Sequence, residues 1–298
     1  MKRTKAVLIV GGSGQIGSHL AMALRDGYKV YATYYRNKII IPGVTSVPFQ
    51  VADRNWTKRL AYNIQPDVVI YAAGSNDVDL IEADDRIGDG VHTRGAAAVL
   101  GITDVFQPKF ILLSNNYVFD GGKGNFKEND TLVPQSALGK YKVSAENYLK
   151  GHSLNYVILR SAPIYGRGNG QNFGFFDTIR KGFAKGMAMT LKSDELHNFA
   201  PIEGLVELVT RVAESGIKNK ILHYGGLTKV THFEFARQYA AHFGYDPKLL
   251  SPAPPGKANE EGKLMDYSIN STQTLQQLKF DPFLLEEGFD LLKKKLVA

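Results

Sequence analysis

The stretch Ala6-Val7-Leu8-Ile9-Val10-Gly11-Gly12-Ser13-Gly14-Gln15-Ile16-Gly17 decides how this chain reads. Its first five residues are an unbroken apolar run rich in β-branched side chains, the pattern of a strand buried on both faces. The glycines at 11, 14 and 17 follow in Gly-x-x-Gly-x-x-Gly spacing and open a helical segment over residues 15–25. A strand-to-helix turn needs glycine where it is tight, where backbone must approach a ligand and where helix packs close to strand. The helix N-terminus then presents free N–H groups to an anion. In this position the motif predicts a dinucleotide cradle made by Gly11, Ser13, Gly14, Gln15, Ile16 and Gly17, the alternative being an ordinary glycine-rich turn.

Outward from that turn, short apolar runs alternate with helical segments. Strands are expected over residues 29–33, 44–50, 67–72, 109–114 and 156–159, and helices over 56–64, 90–106 and 139–150. Parallel strands joined by helical crossovers make a doubly wound α/β sheet of the Rossmann type. After Pro163-Ile164-Tyr165-Gly166 the run Arg167-Gly168-Asn169-Gly170 breaks the alternation, which sets a boundary near residue 165. Helices over 175–183, 204–214, 231–243 and 284–296 and a strand over 220–224 follow. The expected organisation is a nucleotide-binding domain over 1–165, to which 200–226 returns, and a smaller substrate lobe over most of 166–298.

Composition supports a folded globule: 44% hydrophobic against 22% charged residues leaves enough apolar surface for a sizeable core. With no cysteine, disulfides, thiolate zinc sites and cysteine nucleophiles are excluded together. The net charge of +7 favours anionic ligands, yet the basic residues are scattered and the longest run is Lys293-Lys294-Lys295, so no nucleic-acid interface is expected. No stretch reaches the roughly 20 apolar residues of a membrane span. The apolar run over residues 6–10 is too short for a signal peptide, and the expected location is the cytoplasm.

An acidic residue holding the adenosine ribose would fall at the end of the second strand, where the chain instead reads Tyr34-Tyr35-Arg36-Asn37-Lys38. Arg36 and Lys38 suit a 2′-phosphate, which favours NADP over NAD; a solvated surface pair is the plainer reading. Asp53 ends the third strand, either at the depth of an adenine amino group or as a helix cap. The seven histidines show no metal-ligand spacing. Asp77, Asp79, Glu82, Asp84 and Asp85 read as a solvated helix start before an active-site mouth. There is no Gly-x-Ser-x-Gly elbow and no Walker loop, so hydrolase and kinase readings fail.

These glycines occur together with Tyr71-Ala72-Ala73-Gly74, Ser114-Asn115-Asn116-Tyr117-Val118-Phe119-Asp120-Gly121 and Leu159-Arg160-Ser161-Ala162-Pro163-Ile164-Tyr165-Gly166. With them the chain resembles an extended short-chain dehydrogenase/reductase along its whole length. The nearest branch is that of dTDP-4-dehydrorhamnose reductase and the regulatory β-subunit of methionine adenosyltransferase. The resemblance implies cofactor contacts from Ala72, Ala73, Gly74, Pro163 and Ile164. It also implies hydride transfer at a nicotinamide, a tyrosine that handles the substrate proton, a lysine four residues later that holds the ribose, and a Ser or Thr after the fifth strand. Lys142 matches the lysine; the tyrosine position then falls on Leu138 and the Ser/Thr position on Asn115. Leucine has no exchangeable proton, whereas Asn115 can still donate an amide N–H to a carbonyl. Tyr141 is the nearest phenol, but three residues along a helix displaces it by about 4.5 Å and rotates it by roughly 60° from Leu138. Packing against the sheet is its plainer role.

Two functions therefore stay open. One is an NADPH-dependent reductase of a keto group, on a nucleotide-linked sugar, with Lys142, Asn115 and Tyr141 as its catalytic group. The other is a cofactor-binding regulatory or sensor protein without catalysis, which implies a partner protein. In the second lobe Asn169, Gln171, Asn172, Arg180 and Lys192 are candidates for a nucleotide diphosphate. The helices over 90–106 and 139–150 are of the kind that often pair across a two-fold in such families, so a homodimer and a regulatory partner protein both stay open.

Overall fold

The computed structural model describes residues 3–51, 53–168, 174–255 and 263–297. The central sheet is built from β1 (Ala6–Val10), β2 (Lys29–Tyr34), β3 (Val44–Pro48), β4 (Val68–Tyr71), β5 (Lys109–Asn115), β6 (Tyr156–Ser161) and the strand Lys220–Tyr224. Their spatial order is Lys220–Tyr224, β6, β5, β4, β1, β2, β3. The pairs β1–β2, β1–β4, β2–β3 and β4–β5 run parallel, with Val7 opposite Val30 and Val68, and Ile70 opposite Ile111. The order reverses between β1 and β4, the point at which a doubly wound sheet opens its ligand crevice. Every residue of β1, β4 and β5 is buried, as expected of strands covered by helices on both faces.

The crossovers are α1 (Gln15–Leu24), α2 (Arg54–Ile64) and a composite of α3 (Val78–Ala83), α4 (Asp85–Gly88), a π-helical turn (Asp89–Gly95) and α5 (Ala96–Thr103), followed by α6 (Ala137–His152). One helix was expected over 90–106, and its N-terminal part is instead wound as a π-helix. The reason is local: the Tyr71 hydroxyl reaches from β4 into the helical ladder and donates to Val91 O at 2.6 Å, and a Cβ at Gly95 would lie 2.6 Å from that hydroxyl. An inserted side chain of this kind is a recognised origin of helix bulges. Capping side chains move other boundaries. Ser136 Oγ accepts from Gly139 N and starts α6 two residues before residue 139, and Asp53 starts α2 at Arg54. The expected strand over 44–50 ends at Pro48, and α3 begins where the acidic run from Asp77 was read as a helix start.

The chain divides into two compact units. The first holds Met1–Val118, Leu132–Arg160 and Val206–Leu222; its core runs from Leu8, Val10 and Tyr71 through Val99, Phe110 and Leu112 to Leu149 and Ile158. The second holds Phe119–Thr131, Ser161–Leu205 and His223–Ala298. Its core is strongly aromatic, with Tyr165, Phe176, Phe183, Phe199, Phe235, Tyr239 and Phe289 packed around the helices Phe175–Ala184 and His232–Phe243. Three two-stranded ladders that periodicity did not reveal brace this unit, and the Asn198 amide donates to Gly226 O and Ile269 O at 2.9 and 2.8 Å. Among the described residues no helix is long and apolar enough to cross a membrane.

Candidate active site

Backbone contacts and the Thr33 side chain help to hold the turn between β1 and α1. Gly11 N–H donates to Thr33 Oγ1 at 3.0 Å, Ser13 N–H to Thr33 O at 3.1 Å and Gly14 N–H to Gly11 O at 3.0 Å. At Gly11, φ is +87°, and a Cβ there would sit 2.7 Å from the backbone of Ala72 and Ala73; at Gly17 a Cβ would sit 2.2 Å from Gly11 O. Glycine is required at both positions by backbone conformation and by close approach. Gly14 is the N-cap of α1 and no side chain caps the helix, so no side chain of the cap competes with an anion for the first-turn N–H groups. A Cβ at Gly14 would meet only Gly11 O, at 3.2 Å. These features fit the pyrophosphate of a dinucleotide. Ala72 and Ala73 form the neighbouring wall, and Gly74, at φ +117°, stands exposed at the end of it.

Just past β2, Arg36 and Lys38 are exposed, and Arg36 lies over the Tyr35 ring at 5.3 Å. Asp53 Oδ1 accepts from Trp56 N at 2.9 Å, so its carboxylate caps α2. Asp77 caps α3 in the same way, Asp84 pairs with Arg86, and Glu82 Oε1 accepts Ala137 N–H at 2.6 Å, tying α3 to the start of α6. The acidic patch therefore serves helix ends.

The carboxyl end of β5 and the facing side of α6 carry the side-chain chemistry of this unit. Leu138 is fully buried. Asn115 is buried as well; its Oδ1 accepts Tyr117 N–H at 3.1 Å and its amide nitrogen lies 3.5 Å from Asn76 Oδ1. Ser114 points the opposite way and donates to Glu146 Oε1 at 2.6 Å. Arg160 of β6 closes on the same carboxylate with Nε at 3.0 Å and Nη2 at 2.7 Å, both residues being at most 1% exposed. Lys142 is 6% exposed and donates through Nζ to Leu113 O at 3.0 Å. Burial pushes its pKa down to about 8, while Glu146 one turn away pulls it upward. Tyr141 is turned aside: a Cβ on Gly88 would lie 2.5 Å from its ring, so the ring packs on α4, a helix, where packing against the sheet was expected.

His92, on the π-helical turn, extends this group. Its Nε2 lies 2.8 Å from Ser75 O, its ring occupies the space where a Cβ on Gly74 would fall, and its buried Nδ1 has no partner among the described residues. Burial first, and then the Lys142 charge, push its pKa down to about 3, so the imidazole is neutral. Pro163 and Ile164 belong to the second unit, where Pro163 O accepts Ala200 N–H at 3.1 Å. So do Arg180, whose Nη2 lies 3.6 Å from Asp177, and Lys192, whose Nζ lies 4.0 Å from Glu195. Asn169, Gln171 and Asn172 lie outside the described residues. No group of three or more His, Asp or Glu that could hold a metal ion occurs among the described residues. The Ser114, Glu146 and Arg160 assembly was missed in the sequence, although an arginine inside the apolar run of β6 is the signal that marks it.

Comparison with known proteins places this geometry. The chain is 24% identical over 277 residues to dTDP-4-dehydrorhamnose reductase of Mycobacterium tuberculosis, covering 91% of this chain and 86% of that one. It is 25% identical over 164 residues to methionine adenosyltransferase 2 subunit beta of Bos taurus, covering 54% and 48%. The structure of dTDP-4-dehydrorhamnose reductase from Bacillus anthracis in complex with NADP superposes with a TM-score of 0.81 at 18% identity, covering 98% of this chain and 99% of that one. Fold and glycine turn together define a doubly wound α/β protein of the Rossmann type. A model of the RmlD substrate binding domain matches residues 5–286, and the chain belongs to that family.

Proposed function

We propose that this protein binds NADP(H) in its first unit and reduces the keto group of a nucleotide-linked sugar. The observation that carries the reading is the uncapped, glycine-lined N-terminus of α1, walled by Ala72 and Ala73. In it the first-turn backbone of Gln15, Ile16 and Gly17 holds the pyrophosphate, while Gly11, Ser13 and Gly14, whose own N–H groups close the turn, shape the cradle that lets it approach. Arg36 and Lys38 pair with the 2′-phosphate that distinguishes NADP from NAD. When bound, the reduced nicotinamide supplies the hydride. Lys142 holds the nicotinamide ribose, Asn115 donates an amide N–H to the substrate carbonyl, and buried Leu138 keeps water from the reacting face. The reading is supported by the NADP bound to the Bacillus anthracis reductase and by the names of the relatives. It is tested by titrating the protein with NADPH and NADH, then by mass analysis of 4-keto nucleotide sugars incubated with protein and NADPH. Preferential NADPH binding and a product two hydrogens heavier are expected; absence of both ends the reading.

A second reading is favoured by one specific observation, the apolar Leu138 where the family pattern has its proton-bearing tyrosine. Under it the protein binds cofactor without turnover and acts on a partner protein, as the similarity to a regulatory subunit suggests. Its mark is a co-purifying partner whose affinity changes with NADPH; a protein that turns over a keto sugar alone counts against it. Either role is suited to the cytoplasm, as a homodimer or beside that partner.

A further inference from the structure

The reductase reading leaves one requirement unmet, because a carbonyl oxygen that becomes a hydroxyl needs a proton and Leu138 has none to give. We propose that Lys142 is the proton donor of this site, adding to its hold on the ribose the task that the family pattern gives to a tyrosine. The proposal rests on the reductase reading above.

The neighbouring groups are each committed elsewhere. The Ser114 hydroxyl donates into Glu146. Asn115 is an amide, which does not release a proton near neutral pH. The Tyr141 ring lies against Gly88 of α4, and its position on α6 is rotated away from that of Leu138. His92 is neutral, and the proton it carries on Nε2 is the one that faces Ser75 O. Lys142 has three N–H bonds in its ammonium form and spends one of them on Leu113 O, the sole acceptor it reaches among the described residues. Two N–H bonds on a flexible four-carbon stem remain for a ligand.

The charges that face Lys142 set its acidity. Glu146 lies on its own helix, but that carboxylate is already claimed by Arg160 from β6 and by Ser114 from β5. His92 on the π-helical turn contributes no negative charge. Desolvation therefore outweighs the pull of Glu146, and Lys142 titrates at about 8, where a lysine is charged at neutral pH yet gives its proton readily. In the step itself the carbonyl carbon gains the hydride and the C=O π electrons move to oxygen. The hydride would come from the reduced cofactor, which supplies both electrons; the oxygen takes its proton from Nζ, and the neutral amine of Lys142 regains a proton from water.

Lys142→Arg tests this, because a guanidinium keeps the charge and the donors but does not release a proton near neutrality. In the full-length protein NADPH affinity is expected to stay within about tenfold of wild type while turnover of a 4-keto nucleotide sugar falls by roughly 10²–10⁴. Wild-type turnover should also decline as pH rises through about 8. Independently of activity, an isotope-labelled lysine signal lost in Lys142→Arg should titrate near 8; titration in the ordinary lysine range overturns the proposal even if the variant fails to fold. Unchanged turnover in Lys142→Arg overturns it while leaving the reductase reading standing. No turnover by wild type on any keto sugar overturns both.

Discussion

The two halves of the site in the first unit are made of different material. The cradle between β1 and α1 is built largely from backbone: amides, carbonyls and the absence of side chains at Gly11 and Gly17, with Thr33 as a side-chain anchor. The station at the ends of β5 and α6 is built from side chains, and there Leu138, Asn115 and Lys142 stand with a buried ion pair behind them. A backbone site tolerates most substitutions that spare its few glycines and the side chains that brace them. A side-chain site can be rewritten one residue at a time, leaving the frame intact. The cradle therefore speaks for the cofactor, and the station decides what is done with it.

The largest effect should come from breaking the buried pair behind the station. Glu146→Gln leaves the Arg160 guanidinium buried without its carboxylate and should cost about 3–5 kcal/mol in denaturant unfolding. The double replacement Glu146→Leu with Arg160→Met should recover most of it. A loss from Glu146→Gln below about 1 kcal/mol would mean that the station does not depend on this pair.

Next in size is a pH effect. Lys142 binds its proton less tightly folded than unfolded, so between about 8 and 10.5 the unfolded chain holds more protons and stability rises with pH. The gain is about 3 kcal/mol across that window, absent in Lys142→Met. Tyr71 and Tyr165, whose phenols burial keeps protonated, oppose it above pH 10, so the difference between variant and wild type is the quantity to read. On the acid side His92 and His232, both held down near 3 by burial, take on protons first in the unfolded chain, so stability falls as pH drops from 6.5 towards 3. A flat wild-type curve from 8 to 10 would remove the low-dielectric setting of Lys142.

In the cradle, Gly17→Ala drives a Cβ into Gly11 O and should cost about 1–3 kcal/mol of stability together with most of the NADPH affinity. If affinity survives, the pyrophosphate does not sit on this turn. The smallest effect is at the rim: Arg36→Ala combined with Lys38→Ala should weaken NADPH about tenfold, roughly 1.4 kcal/mol, and leave NADH unchanged. Equal losses for both cofactors would return the pair to mere surface charge.

What could be read in advance follows the same division. The apolar run over residues 6–10 and the spacing of Gly11, Gly14 and Gly17 report backbone geometry directly, and with them the parallel sheet was legible. Asp53 was legible only as an alternative, since capping and ligand contact ask for the same residue in the same place. The π-helical turn was not legible, because it arises from Tyr71 in a different element. Nor were the roles of Glu146, Arg160 and His92, because periodicity reports which face a residue occupies and not which polar partner it meets across the sheet. Glu82 likewise looked like one more surface acid until Ala137 N–H was found on its carboxylate.

The most direct test mixes wild-type protein with NADPH and a panel of 4-keto nucleotide sugars, beside Leu138→Tyr, and follows the nicotinamide absorbance. Oxidation by the wild type, with Lys142 supplying the proton that Leu138 cannot, is the expected result. Oxidation by Leu138→Tyr alone would contradict it and leave a protein that kept the cradle and gave up the chemistry.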